Sequence, residues 1–378
     1  MSSVERKKIV ILSTANFNAP LWTNKQHLAS GLTEHFDVYY IESLGLRAPK
    51  FNWNDFLRIL DFMKPKRNSS FKSEIKVIRP WVIPFHKNSH IQKINGLLMK
   101  LFARSKLKGL GNATLWTFSP VTYGLEDYFE KLVYHSVDFL ETFPGISSEL
   151  IIESEIGIIE KANVVVASSI SIKAKLESIK FSNVILLENV ADTSYFYNLN
   201  LKRNPCAIFA GNLSTHKIDF EIIEKLAVSG INLKLAGSIA IDGAKSDLLE
   251  RILATYNNIE YLGELTLREL NLVFNECKVG IIPYLTNSHT NGIYPMKIHE
   301  YGATGLCVVS TMLPSLKNLV DMPGLIFSDP SNFAENVRLQ IENFSVSNSD
   351  AVSIYSIEKS WKNRIIEIVK ILEDLDAD

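Results

Sequence analysis

The stretch NGIYPMKIHEYGATGLCVVST, residues 291–311, decides the fold. Gly292 and Pro295 open a helix, Gly305 ends it, and the apolar run LCVVST follows at once. A helix that passes directly into a continuous apolar run such as LCVV is one feeding a strand buried on both faces, as in a parallel sheet. Lys297 and Glu300 lie three apart on one face of that helix. Structurally they make an intrahelical ion pair worth roughly 0.3 kcal/mol. The functional reading of the same pair is a cation for phosphate and a carboxylate that accepts hydrogen bonds from ribose hydroxyls.

Working outward, runs of the same kind recur. IVILST at 9, VYYIE at 38, LWTFS at 115, LVYHSVD at 132, VVVAS at 164 and VILLEN at 184 form one series. CAIFAGN at 206, LKLAGS at 233, IEYLGE at 259, VGIIPYL at 279 and LCVVST at 306 form another. Stretches with helical spacing separate them, which predicts an α/β protein with parallel sheets covered on both faces. Two series exceed what one compact sheet needs, and the turn-rich stretch 189–205 divides them. The expectation is two Rossmann-like domains facing across a cleft, residues 1–192 and 193–357. An amphipathic C-terminal helix, with apolar residues at 357, 361, 365, 368, 369, 372 and 375, crosses back to the first domain over 358–378.

With 378 residues, 46% hydrophobic and 21% charged, the chain falls outside the collagen-like, disordered, disulfide-scaffold and coiled-coil classes. Cys206, Cys277 and Cys307 have no CxxC spacing and lie in apolar runs, so they read as reduced core thiols. The apolar run at 9–12 is too short for a signal-peptide core, and no stretch approaches the 18 or so apolar residues of a spanning helix. A cytoplasmic protein, soluble or peripheral on the membrane, is expected.

The net charge of −1 conceals an asymmetry. Arg47 to Lys108 holds 15 Lys/Arg against three acids, Asp55, Asp61 and Glu74, an excess of +12. Within it, IQKINGLLMKLFARSKLKGLG places Ile91, Ile94, Leu98, Leu101 and Phe102 on one helical face among Lys93, Lys100, Arg104, Lys106 and Lys108, and KPKRNSSFK at 64–72 adds a basic loop. A basic amphipathic helix reads as a membrane-surface element, and no nucleic-acid motif accompanies it. The alternative is a core-facing helix whose solvated side is basic. The expected partner of residues 47–108 is an anionic membrane surface, the inner face of the cytoplasmic membrane.

Neither GxGxxG nor GxxxxGK[ST] is present, which removes the main support for dinucleotide and ATP-hydrolysing readings. The strands of the second series instead end in GNLSTHK at 211–217, GS at 237–238 and GE at 263–264. Glycine there lets a ligand approach the backbone, although a plain turn uses the same residue.

These residues carry a resemblance. PMKIHEYGATGLCVVST is similar to the donor-site helix of two-Rossmann (GT-B) glycosyltransferases, whose bacterial polysaccharide subgroup shows PxKxxEYxAxGxxVVST. LSTANFNAPLWTNKQHLASGL, VYHSVDFLETFPG, EIGIIEKANVVVASS, LLENVADTSYF and SWKNRIIEIVKIL resemble successive segments of that subgroup, in the same order. The resemblance, to family 1- and family 4-like enzymes with features of inverting xanthan-type glucuronosyltransferases, implies transfer of a sugar from a nucleotide-diphosphate donor. A UDP-sugar is the expected donor, serving as substrate with no cofactor, and a surface polysaccharide or lipid-linked oligosaccharide is the expected acceptor. It implies that Glu300 binds the donor ribose and Lys297 the diphosphate or sugar, with Gly211, Asn212, Lys217, Gly237, Tyr294 and Met296 completing the donor set. Retaining relatives carry GRxxxxK and a second Glu eight residues before the first. Here Lys217 is kept, Asn212 stands for the Arg and Gly292 for the Glu.

Displacement at an anomeric carbon needs cations or dipoles for the leaving diphosphate and, when it inverts, a base for the acceptor hydroxyl. No Asp-x-Asp pair adjoins a donor strand and no His/Cys cluster has ligand spacing, so no metal is expected. Asp138, after the strand LVYHSV, is the leading base, because inverting members use an Asp in that region. His135 is the alternative catalytic group. Structurally, Asp138 would cap the next turn and His135 would be half-buried packing. In the loop after the first strand, Trp22, Asn24, Lys25 and Gln26 are candidate acceptor-pocket residues, with Trp22 alternatively a packed lid. A nucleotide-sugar 2-epimerase of the same architecture and a noncatalytic nucleotide-sugar-binding subunit are the competing readings.

Overall fold

The computed structural model describes residues 6–19, 22–47, 74–179, 183–239 and 246–377. The basic loop at 64–72 lies outside the described residues. Seven strands, β1 (Lys8–Leu12), β2 (Asp37–Ile41), β3 (Ile75–Ile78), β4 (Thr114–Thr117), β5 (Lys131–Ser136), β6 (Val164–Ala167) and β7 (Ile185–Leu186), form one sheet in the order β3-β2-β1-β4-β5-β6-β7. Six more, β8 (Cys206–Ala210), β9 (Asn232–Ala236), β10 (Ile259–Gly263), β11 (Val279–Ile282), β12 (Cys307–Thr311) and β13 (Leu325–Ser328), form another in the order β10-β9-β8-β11-β12-β13. All these pairings are parallel. Each sheet follows the 3-2-1-4-5-6 order of a doubly wound fold, reversing between β1 and β4 and between β8 and β11. The central strands β8, β11 and β12 are buried at every position, which is why they read as unbroken apolar runs rather than as alternation.

The chain divides into two compact units. The first takes residues up to Ser168, Ile172–Leu187 and the residues from Ile365 on, and the second takes Ser169–Ser171 and Glu188–Arg364. Within the second unit the turn-rich stretch after Leu187 is firmly attached. Asn189 Nδ2 donates to the Tyr294 carbonyl at 2.7 Å, and Asn271 and Asn275 accept from the amides of Tyr197 and Leu199 at 3.1 and 2.7 Å. Phe196 stacks on Phe274 with centroids 5.5 Å apart.

The apolar stripe read from residue 357 onward belongs to two helices, not one. Val346–Glu358 and Trp361–Ala377 are separate, because the Lys359 carbonyl and the Trp361 amide pair with Ala191 instead of continuing the helical ladder. Ile365, Ile368, Leu372 and Leu375 form the buried face of the last helix. It joins the first unit through Asp376, which takes ion pairs from Lys7 and Lys131 at 2.6 Å each, and through Ile365 against Gly31. A Cβ on Gly31 would lie 2.4 Å from Ile365 Cγ1, so the missing side chain is what admits the helix.

Candidate functional site

In the second unit the site is built at the carboxyl edge of the sheet, around the β8/β11 reversal where doubly wound folds bind ligands. The helix Lys297–Ala303 enters β12 through Gly305 (φ 80°), whose amide donates to Gly302 while Leu306 reaches back to the Tyr301 carbonyl at 3.0 Å, a Schellman closure. Ser349 and Ser353 of the helix Val346–Glu358 clamp it from behind, donating to the carbonyls of Gly305 and Ala303 at 2.8 and 2.9 Å. On its inner side, Tyr301 is fully buried and its hydroxyl accepts the Ala210 amide at 2.8 Å, the last N–H of β8. The helix is thereby locked in register with the strand whose end forms the site.

At that strand end Gly211 has φ 148°, and a Cβ there would stand 2.6 Å from Lys297 Cε. The aliphatic stem of Lys297 occupies the place of the missing side chain. Gly237, after β9, is tighter still: its Cβ would fall 2.0 Å from the Gly211 carbonyl oxygen. The two strand-end glycines therefore bring backbone, backbone and ammonium together. Lys297 Nζ lies 3.9 Å from Glu300 Oε2. Burial pushes the Glu300 carboxyl up and the Lys297 charge opposes that shift. Lys217 sits over the Tyr284 ring at 5.0 Å, and burial raises the Tyr284 hydroxyl, with the charges of Lys297 and Glu300 both felt there. Two amide oxygens, Asn212 Oδ1 and Asn291 Oδ1, are buried with no hydrogen-bond partner among the described residues, which leaves them as acceptors for a ligand.

Of the expected donor set, Gly211, Asn212, Lys217, Gly237, Lys297 and Glu300 thus gather at one sheet edge. Met296 is half-buried at the start of the helix. Tyr294 faces inward, 1% exposed, with its hydroxyl 2.8 Å from His299 Nε2, so its ring packs rather than lines the edge. Tyr284, Tyr301 and His299 were not singled out from the sequence. Tyr284 carried a usable signal, since it follows Pro283 directly at the end of a switch-point strand.

In the first unit, Asp138 follows β5 and is half-buried. Burial lowers the pKa of Lys25, and the Asp138 charge counteracts it. Lys25, in the first turn of the helix Asn24–Leu32, also has its Nζ 5.8 Å from the ring of Phe118, the residue after β4. His135 is 5% exposed between Phe118 and Trp116, with centroids 4.9 and 5.7 Å away. Gln26 is committed to a capping box, accepting the Thr23 amide at 3.0 Å and donating to the Asn16 carbonyl at 2.9 Å. Asn24 is buried, and Trp22 packs on Phe17 and His27 at 5.7 and 5.4 Å. Among the described residues no three His, Cys, Asp or Glu stand together as a metal site.

Two doubly wound parallel sheets of this strand order, in two Rossmann-like units with the last helix returned to the first, define the GT-B architecture of glycosyltransferases. Residues 205–343 match the family model described as glycosyl transferases group 1. Among solved structures, sucrose-phosphate synthase from Thermosynechococcus elongatus superposes with TM-score 0.72 at 15% identity, covering 98% of this chain and 100% of that one. HepE from Anabaena, solved with UDP and glucose, gives 0.67 at 15% identity over 97% and 100%. AviGT4, a glycosyltransferase of avilamycin A biosynthesis, gives 0.60 at 13% identity over 98% of each chain. Comparison with curated protein sequences finds no match.

Proposed function

We propose that the protein is a glycosyltransferase that moves a sugar from a nucleotide-diphosphate donor, a UDP-sugar, to a polysaccharide or lipid-linked oligosaccharide acceptor. The observation that carries this reading is the meeting of Gly211, Gly237, Lys297 and Glu300 at the β8/β11 edge, inside the segment that matches the family model. Similar structures solved with UDP and glucose support the choice of donor.

In this reading Glu300 accepts from the ribose hydroxyls. Lys297 and Lys217 take the charge that grows on the diphosphate as the anomeric C–O bond breaks, with no metal required. The acceptor oxygen forms the new bond and Asp138 takes its proton, which gives inversion. Buried Lys25, whose charge and that of Asp138 interact, stands beside the base. The basic N-terminal segment holds the enzyme on the anionic cytoplasmic face of the membrane. From Ile75 to Leu125 the chain has eight Lys/Arg and no Asp or Glu. No helix among the described residues is long and apolar enough to cross a membrane.

The test is a panel of nucleotide sugars assayed for binding and for transfer or hydrolysis. Glu300→Gln and Lys297→Ala should weaken donor binding, and Asp138→Asn should abolish turnover while donor binding persists. Near-normal turnover of Asp138→Asn removes its role, and affinity without turnover in the parent chain identifies a binding subunit instead.

A further inference from the structure

The amino edge of the second sheet, at the opposite end of β8 from Gly211, holds two thiols in contact. Cys206 opens β8, and Cys277 stands between the helix Leu267–Glu276 and β11. Both are free and buried, and their sulfurs lie 3.2 Å apart. A disulfide bond is about 2.04 Å long, so the sulfurs need to approach by only about 1.2 Å to bond.

The backbone holds the pair in register from both sides. The Asn204 amide donates to the Glu276 carbonyl at 2.7 Å, and the Lys278 amide donates to the Cys206 carbonyl at 3.1 Å. Arg203 donates to the Phe274 and Cys277 carbonyls at 3.1 and 2.9 Å, which fixes the end of the helix. The seam that begins here is thin. The ladder between β8 and β11 consists of Ala207 with Val279 and Ile208 with Gly280, whereas that between β8 and β9 runs the whole length of β8. It is also the seam at which the strand order reverses.

A lysine stands beside the thiols. Register places Lys234 of β9 next to Ile208, on the face that Cys206 shares two residues earlier, and Lys234 pairs with Glu276 at 2.8 Å. The hydrogen bond with Cys277 draws the Cys206 thiol down from its ordinary value against its burial, and the Lys234 charge works in the same direction. The thiolate is the form that attacks an oxidant. Cys307, which opens β12, differs, because burial pushes its thiol up.

We propose that Cys206 and Cys277 form a two-electron redox site, oxidised to a disulfide by a hydroperoxide. With hydrogen peroxide, the Cys206 sulfur takes one oxygen as the O–O bond breaks, leaving a sulfenic acid and one water. The Cys277 sulfur then displaces that oxygen as a second water. Two thiols and one peroxide thus yield the disulfide and two waters, the sulfurs losing two electrons and the peroxide oxygens gaining them. A thiol reductant reverses the step by exchange. The new bond staples β8 to the start of β11, so the oxidised second unit resists unfolding more than the reduced one. None of this depends on the identity of donor or acceptor.

The experiment treats the full chain with hydrogen peroxide, quenches it, and unfolds and alkylates it for intact mass and peptide mapping. The three thiols should fall to one, with a Cys206–Cys277 cross-linked peptide that dithiothreitol removes. Calorimetry on the same samples should show Tm raised by at least about 4 °C on oxidation. Cys307→Ser should behave as the parent, while Cys206→Ser and Cys277→Ser should lose both the cross-link and the rise in Tm. If either of those two variants fails to fold, the map of the parent chain decides the matter by itself. Three free thiols in the parent, in a tube where free glutathione is oxidised, would overturn the inference. So would a cross-link through Cys307 or between chains, or a Cys206–Cys277 bond that leaves Tm unchanged.

Discussion

Replacing Gly237 with alanine tests the geometry on which the donor site depends. A Cβ at Gly237 (φ 129°) would sit 2.0 Å from the Gly211 carbonyl oxygen and 2.7 Å from its carbon, both backbone atoms with no rotamer to move. Reaching ordinary contact at 3.4 Å requires one strand-end loop to retreat by about 1.4 Å. That retreat strains the hydrogen bond that the Gly211 amide donates to the Ala236 carbonyl, now 2.8 Å, and withdraws Gly211 from Lys297. Overpacking costs about 1–3 kcal/mol, the backbone conformation about 1–3, and the weakened hydrogen bond about 1, giving a loss of about 3–7 kcal/mol. For a unit of this size each kcal/mol lowers Tm by about 2–4 °C, so a drop of at least about 6 °C is expected. Gly230→Ala is the control: it also has positive φ (75°), but nothing lies within 4 Å of its Cβ. Its cost is backbone alone, about 1–2 kcal/mol. Differential scanning calorimetry with and without UDP-sugar should show a larger drop for Gly237→Ala, together with loss of the ligand-induced shift that Gly230→Ala retains. Equal drops, or a preserved ligand shift in Gly237→Ala, would refute the reasoning.

Tyr301→Phe keeps the ring packed but strands the Ala210 amide in the core, so denaturant unfolding should show a loss of about 1–3 kcal/mol with the slope unchanged. Burial pushes His299 down to about 3 from its ordinary 6.5. Between those values the unfolded chain binds a proton that the folded chain refuses, so this residue's share of stability falls by about 1.4 kcal/mol per unit as pH drops from 6.5 toward 3. His299→Gln should flatten that slope in a stability profile over pH 4–7. Buried Glu155 accepts from the Tyr134 hydroxyl and pairs with Lys175, each at 2.6 Å. Lys175→Met should therefore cost about 3–5 kcal/mol, and adding Glu155→Gln should recover part of it in a double-mutant cycle.

The apolar runs conveyed the central strands and the edge strands β7 and β10, and missed the other two edges. Runs such as VGII and CVVST are buried at every position, and continuous apolarity marks them. β3 and β13 passed unnoticed because each has only four residues, half-buried or exposed throughout in β3 and buried at a single position in β13, which erases the apolar run that marks an inner strand. At the site, Lys297 and Glu300 were legible because charges inside an apolar helix–strand passage stand out. Tyr301 was not, since a buried tyrosine has the same appearance in a pattern whether its hydroxyl is idle or bonded to a strand end. Gln26 shows the opposite failure: a polar residue in a strand-end loop suggested ligand contact, whereas its amide completes the helix cap that shapes the loop. On the basic helix the packed residues are Asn95, Met99 and Ala103, whereas Ile94 and Leu101 of the apolar face read from the sequence are 43 and 53% exposed.

The return of the final helix to the first unit fixes an order of events during synthesis. Ile365, Ile368, Leu372 and Leu375 belong to a core whose other strands end with β7, so that core stays incomplete while the whole second unit is being made. At about 5–20 residues per second the intervening segment takes roughly 10–35 s to emerge. Throughout that interval the surface around Gly31 that Ile365 will cover remains open to chaperones or to a second nascent chain. Loss of even the last two turns, which carry Leu372, Leu375 and Asp376, would leave the N-terminal unit in that unfinished state, making the C-terminus a checkpoint for completion of the first-made half.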